Sequence, residues 1–298
     1  MRVANKTIYD GVIRNLGRTS TEMFKANELV STAKKINDLS DDPVGMVAIL
    51  DLRSSLSGID QMERNISVGH SWLNSAESAL GQVGDLLSTT KELVVQMSTA
   101  TMDASERKNA VTLVDGYLNQ IMALANSQVG GRYIFGGTNT DTTSFTLDGT
   151  GTQVIYNGND TPFSIKVGKD NTVSIGKDGK DIFGENWDNS NIFKTFIDLK
   201  DNLQTNNVEG IQSSLTNIDN HMSTLNAHIS DIAGKTVRMN IKEQVLADLK
   251  LTYTERTSEI EDADIAEAII ELKSKELAYN ASLSSASKMM ELSLVNFL

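Results

Sequence analysis

The chain has no cysteine and only two prolines, and each absence narrows what it can be. Without thiols it can hold neither a disulfide nor a thiolate-ligated metal, so packing and hydrogen bonds alone must maintain the fold. With proline confined to Pro43 and Pro162, long tracts are free to stay helical, which favours extended helices over a compact globule. Aromatic residues make up only 5%, so any core is expected to be aliphatic and thin. No apolar run reaches the length of a membrane span, and Met1 to Asp10 carries Arg2 and Lys6 without the apolar segment of a cleaved signal. The expectation is a protein that is cytosolic, or that leaves the cell by a route reading no standard signal. A basic stripe is missing too. The net charge is −12 with both signs interspersed, which leaves nucleic acid without its electrostatic footprint and makes an anionic membrane a poor partner.

What the sequence has in abundance is helical periodicity. Lys235 to Leu298 contains neither glycine nor proline and predicts one uninterrupted helix. From Ile265 its apolar residues follow a 4,3 spacing, Ile265, Ile269, Leu272, Tyr279, Leu283, Ala286, Met290 and Phe297, broken only at Glu276 and Ser293. The first arm repeats the pattern through Tyr9, Val12, Leu16, Thr19, Met23, Ala26, Val30 and Ala33, and is expected to stop near Leu39. Each arm has a single apolar stripe and no other partner, so the two ends should lie side by side. The candidate assembly surface is therefore Val12, Leu16, Met23, Val30, Ile269, Leu272, Leu283, Met290 and Phe297.

Between the arms, Ser40 to Pro43 reads as a break and restart, because aspartate accepts free N–H groups and proline at the first helical position wastes no donor. A short helix should end near Gly58. A rod helix follows, with Ile59, Ile66, Leu73, Leu80, Leu87, Val94 and Met97 on its stripe. Asp103 and Glu106 have capping-box spacing and open another helix, with Val111, Val114, Leu118, Ile121 and Ala125 inward, which Gly130 and Gly131 are expected to close. Thr138 to Lys180 is rich in Asn, Asp, Gly and Thr, and short alternations at Gln153–Tyr156, Phe163–Val167 and Thr172–Ile175 predict a small antiparallel β insert. The helical period returns at Asn191 and continues through Ile211, Leu215, Ile218, Met222, Leu225, Ile229 and Ile232. Past Gly234 it slips to Val237, Ile241, Val245 and Leu249.

The expected fold class is mainly α with a small β insert: a long coiled-coil rod of paired N- and C-terminal arms, with the β domain at the far end. The expected parts are 1–42 plus 263–298 as a terminal coiled coil, 43–133 plus 190–262 as a helical rod, and 134–189 as a β domain. An insert of that kind is an appendage, so removing Asn139–Phe183 should spare the rod.

Chemistry is harder to find. His70, His221 and His228 read as helix-surface histidines, Asp148-Gly149 and Asp178-Gly179 as turns, and the methionines as core filler. No phosphate loop, dinucleotide fingerprint, nucleophile elbow or calcium loop occurs. No catalytic, cofactor-binding or metal-binding residue is nominated, and no cofactor is expected.

AKKINDLSDDPVGMVAILDLRSSLSGIDQMERNI, Ala33 to Ile66, resembles the N-terminal signature of bacterial flagellins and their hook-associated relatives, and EIEDADIAEAI, Glu259 to Ile269, resembles the C-terminal one. GGRYIFGGT, Gly130 to Thr138, is more similar to the hook-associated branch. The resemblance implies an inner coiled coil, a helical rod outside it and an outermost β domain. It also implies export without signal cleavage, with an export chaperone, and a place at the junction of hook and filament. The partners it implies are the first junction protein, flagellin and further copies of the chain in a ring, with neither nucleic acid nor membrane insertion. Alternative readings are flagellin itself and, from another class, a helical signalling protein. An enzyme is the weakest, since the insert has no histidine.

Overall fold

A computed structural model describes residues 2–168, 170–184 and 187–295, the side chains of 2–5, 8 and 290–295 excepted. Phe297 and the side chain of Met290 thus lie outside the described residues. In chain order the elements are α1 (Arg2–Thr32), α2 (Pro43–Met97), α3 (Ala104–Ala125), β1 (Gln128–Val129), β2 (Arg132–Tyr133), β3 (Phe145–Leu147), β4 (Val154–Tyr156), β5 (Ser164–Lys166), β6 (Thr172–Ser174), α4 (Gly179–Phe183), α5 (Ile192–Gln204), α6 (Val208–Glu261) and α7 (Ile265–Val295). The chain is mainly α with a small β insert. It forms two compact units, one from the two ends of the chain up to Gly58 and from Asp248 onward, the other from Ile59 to Ala247.

In the terminal unit α1 packs along α7, and both helix ends differ from expectation. α1 stops at Thr32 because Ala33 turns into the left-handed region, with φ of 59°. Beyond it the Lys35 N–H donates to the Glu261 carbonyl at 2.7 Å and the Ala263 N–H to the Ala33 carbonyl at 2.9 Å, an antiparallel rung around Lys34 and Asp262. The same rung ends α6. The Asp264 carboxylate then accepts from the N–H groups of Ala266 (2.8 Å) and Glu267 (3.3 Å) and restarts the chain as α7, so Lys235 to Leu298 is not one helix. A capping aspartate breaks a helix without any glycine or proline. Asp42 behaves as expected, accepting from Val44 and Gly45, each at 3.0 Å, to open α2. Gly58, by contrast, ends nothing, because buried Ile49, Ile59 and Ile66 on both sides carry α2 straight through it.

In the central unit α2 and α6 run antiparallel. A Cβ on Gly69 would meet Met239, a Cβ on Gly84 would meet Leu225, and Lys91 pairs with Asp219 at 2.6 Å. α3 packs on α5, joined at the surface by Lys200 and Asp115 at 2.6 Å. The capping box of Asp103 and Glu106 is present. One turn on, the 5% exposed Arg107 donates to the carbonyls of Met97 (2.8 Å) and Thr99 (2.9 Å) and to Asn206 Oδ1 (2.6 Å), tying two chain reversals together.

The β insert consists of three separate two-stranded antiparallel hairpins, β1–β2, β3–β4 and β5–β6. Gly130 and Gly131, with φ of 58° and 79°, form the turn of the first hairpin instead of closing α3, which has already ended at Asn126. The insert folds back onto the helices of its own unit. Phe163 meets Trp72 in a tilted contact at 5.0 Å, Asn65 donates to the Lys166 carbonyl at 2.8 Å, and His228 Nε2 lies 2.9 Å from the Asp181 carbonyl. Its core adds an aromatic cluster to the buried aliphatics Ile134, Val154, Ile165, Val167, Ile175 and Ile182. Phe145 meets Phe183 at 5.2 Å and Phe193 of α5 also at 5.2 Å, while Phe135 meets Phe183 at 5.5 Å, all in edge or tilted contact.

His221 overturns its surface reading. It is 4% exposed on α6, with Nε2 2.8 Å from the Thr195 hydroxyl of α5. Burial disfavours the charged ring and pushes its pKa from 6.5 to about 4. The unfolded chain therefore takes up this proton below pH 6.5 and the folded chain does not. The stabilisation is complete above pH 6.5 and falls by about 3 kcal/mol as the pH drops to 4. Urea unfolding at pH 7 and pH 4 should show His221→Gln losing less stability over that interval than the parent. An equal loss in both would contradict the burial account.

Candidate functional site

The paired terminal helices bury less than their composition allows. On α1, Thr19 and Ala26 are buried, with Val12, Leu16, Met23 and Val30 half-buried beside them, as expected. On α7 the inward series is Ala268, Leu272, Lys275, Tyr279, Ser282 and Ala286. This shares Leu272, Tyr279 and Ala286 with the expected stripe, but Ala268, Lys275 and Ser282 stand where Ile269, Glu276 and Leu283 were expected. Small residues let the helices approach closely, and the larger neighbours turn outward. Ile269 is 45% exposed and Leu283 47%, flanked by Ile270 at 71% and Leu277 at 72%. On α1, Ile13 and Phe24 are 48% and 67% exposed. Lys275 and Glu22 pair across the two helices at 3.1 Å. The result is a helix pair with Ile13, Phe24, Ile269, Ile270, Leu277 and Leu283 exposed along it.

At the base of the pair sits a residue the sequence reading passed over. Glu261, the last residue of α6, has a side chain 7% exposed and receives Lys34 at 2.5 Å and Arg53 of α2 at 2.6 Å. Burial raises its pKa, but the hydrogen bonds and charges of Lys34 and Arg53 together outweigh it and hold the carboxyl below its ordinary value. One carboxylate thus joins the ends of α1 and α6 to α2, beside the backbone rung. The signal was available: Asp264 and Glu267 repeat the spacing of Asp103 and Glu106, and mark Glu261 as lying at a helix end.

Among the described residues, no group of three or more His, Cys, Asp or Glu stands where it could hold a metal ion. No described helix is long and apolar enough to cross a membrane.

The profile of the bacterial flagellin N-terminal helical region matches residues 3–140. Flagellar hook-associated protein 3 of Salmonella typhimurium is 26% identical over 262 residues, 78% of this chain and 81% of that protein. The flagellin of Listeria monocytogenes is 23% identical over 289 residues, 92% of this chain and 90% of its own. A solved flagellar hook-associated protein from Vibrio parahaemolyticus shares the fold with a TM-score of 0.69 at 22% identity, over 74% of this chain and 100% of that one. Residues 3–140 thus match the helical region of the bacterial flagellins. Over most of its length the chain is similar to hook-associated protein 3.

Proposed function

We propose that this chain is a structural subunit of the bacterial flagellum that joins the hook to the flagellin filament. The observation that carries the reading is the terminal pair, whose large aliphatic side chains face outward. Such a surface is stable in water only at a cost and is relieved by neighbouring helices. In this reading 1–42 and 263–298 do the joining, 43–133 with 190–262 form the connecting rod, and 134–189 is a β insert packed back on that rod. Val12, Leu16, Met23, Val30 and Leu272 hold the pair together, while Ile269 and Leu283 meet neighbours. Met290 and Phe297 continue the same spacing in the sequence. The neighbours are the hook-side junction protein, flagellin on the other side and further copies of the chain. Before assembly the chain leaves the cell without signal cleavage, its arms covered by an export chaperone. The role is mechanical, not catalytic.

A flagellin's surfaces repeat along the axis, whereas a junction subunit must prefer different proteins below and above to its own kind. Purified protein added to hook ends already carrying the first junction protein should form a short collar and stop, and flagellin added next should then polymerise. Long filaments of this chain alone would make it a filament subunit, a reading the similarity to the Listeria flagellin keeps in view.

A further inference from the structure

Two exposed apolar rows lie outside the α1–α7 pair. At the start of α2, Val44, Val47 and Leu50 recur every third residue and are 81%, 55% and 55% exposed. On α6, Val237, Ile241 and Val245 recur every fourth residue and are 57%, 58% and 44% exposed. The cores of these helices are served by other faces, through Ile49 on α2 and Met239 and Leu246 on α6, so neither row is needed for the fold.

We infer that the Val44, Val47 and Leu50 row of one copy docks on the Val237, Ile241 and Val245 row of the next. The inference rests on the reading of the chain as a subunit that assembles with copies of itself. Three features select this pairing. A ridge of every-third residues fits the groove between every-fourth ridges with the helices about 20° apart, the packing of long helical assemblies, whereas two every-fourth rows cross more steeply. The charges are complementary. Around the α2 row stand Asp41, Asp42 and Asp51, with Lys25 3.9 Å from Asp41, and around the α6 row stand Arg238 and Lys242, with the row's carboxylate, Glu243, 3.5 Å from His70. Either row meeting its own kind would bring like charges together, so the contact is head-to-tail, which builds rings and helices instead of closed dimers. Lastly, three aliphatic side chains from each copy fall well short of the roughly 800 Å² per partner of a stable interface. The contact forms where other surfaces already hold the copies in place, and leaves the free protein monomeric.

The absence of native cysteine makes a direct test available. Val47→Cys protein and Ile241→Cys protein are mixed, assembled on isolated hook ends carrying the first junction protein, and oxidised mildly or treated with a short bismaleimide. Cross-linked dimers containing one copy of each variant are expected in the collar, with none in the unassembled pool and none from either variant alone. Asp51→Lys should lower incorporation about tenfold, and adding Lys242→Glu in the same chain should restore it. A collar that forms without mixed cross-links, together with unimpaired Asp51→Lys, would overturn the inference while leaving the junction reading intact. Cross-links to flagellin or to the hook-side protein would overturn it as well, by naming another occupant. Failure of the unmodified protein to bind hook ends would instead sink the junction reading, and this contact with it.

Discussion

Leu283→Asp and Ile269→Asp are each expected to abolish incorporation at hook ends while leaving the isolated protein folded. Both side chains are about half exposed on the outer face of α7. A carboxylate there remains hydrated in the free subunit, and surface substitutions of this kind usually change stability by less than about 0.5 kcal/mol. Once a neighbour covers the position, an unpaired charge is buried at a cost of several kcal/mol, enough to lower occupancy by orders of magnitude. Ala268→Asp supplies the contrast, since Ala268 is 1% exposed between α1 and α7 and an acid there should separate the pair itself. Thermal melting followed by circular dichroism and the amount of protein bound to hook ends read the two effects apart. Normal collars from both outward variants would show that this face of α7 touches nothing in the assembly.

The second large effect concerns the insert. Chain order alone predicts that removing Asn139–Phe183 spares the helices, but the packing predicts the opposite. Phe145 and Phe183 fill the space beside Phe193 of α5, and Asn126 at the end of α3 both donates to the Phe145 carbonyl and accepts from its N–H, each at 2.8 Å. The deletion would leave Phe193 facing water and strip the end of α3 of its partner. Phe183→Ala, a milder cut into a side chain with no exposure, should cost about 3–5 kcal/mol. Urea unfolding of the full chain measures it. A loss under about 1 kcal/mol would return the insert to the status of an appendage.

The reason one stripe was legible and another was not lies in residue size. Along α2 the buried positions are large aliphatics such as Ile66, Leu73, Leu80 and Leu87, so periodicity finds the core directly. On α6 and α7 the sequence offers two stripes offset by one residue that share every second member. Weighing apolar bulk picks Leu215 and Met222 over Ser214 and His221, and Ile269 over Ala268, whereas the fold buries the smaller or polar choice in each case. The same bias hid the outward apolar faces, because a residue assigned to the core is not sought on the surface. The slip at Val237 to Leu249 was a different stripe from the buried one, which keeps its spacing through Lys235, Met239 and Leu246. Helix ends set by long-range pairing were equally hidden. Nothing near Ala33 shows that its carbonyl will accept from Ala263. The aromatic cluster escaped because its members are spread from Phe135 to Phe193, and composition records how few aromatics there are, not where they gather.

The α1–α7 pairing also fixes an order of events in time. The partner of the first helix is the last one, and the rung between them joins Lys35 to Glu261 across most of the chain. At roughly 5–20 residues per second, synthesis leaves α1 without its mate until everything from Lys35 to Glu261 has been made. Passage through any narrow channel in the same direction repeats the delay. Closing so long a loop is entropically unfavourable until the segment between is compact, and only then do the contacts of the ends reward it. The central unit, whose strands and helices are nearer neighbours in sequence, can form first. The ends are therefore the last part of each molecule to mature, and a subunit cut short anywhere in α7 would have an unmatched first helix however well its middle had folded.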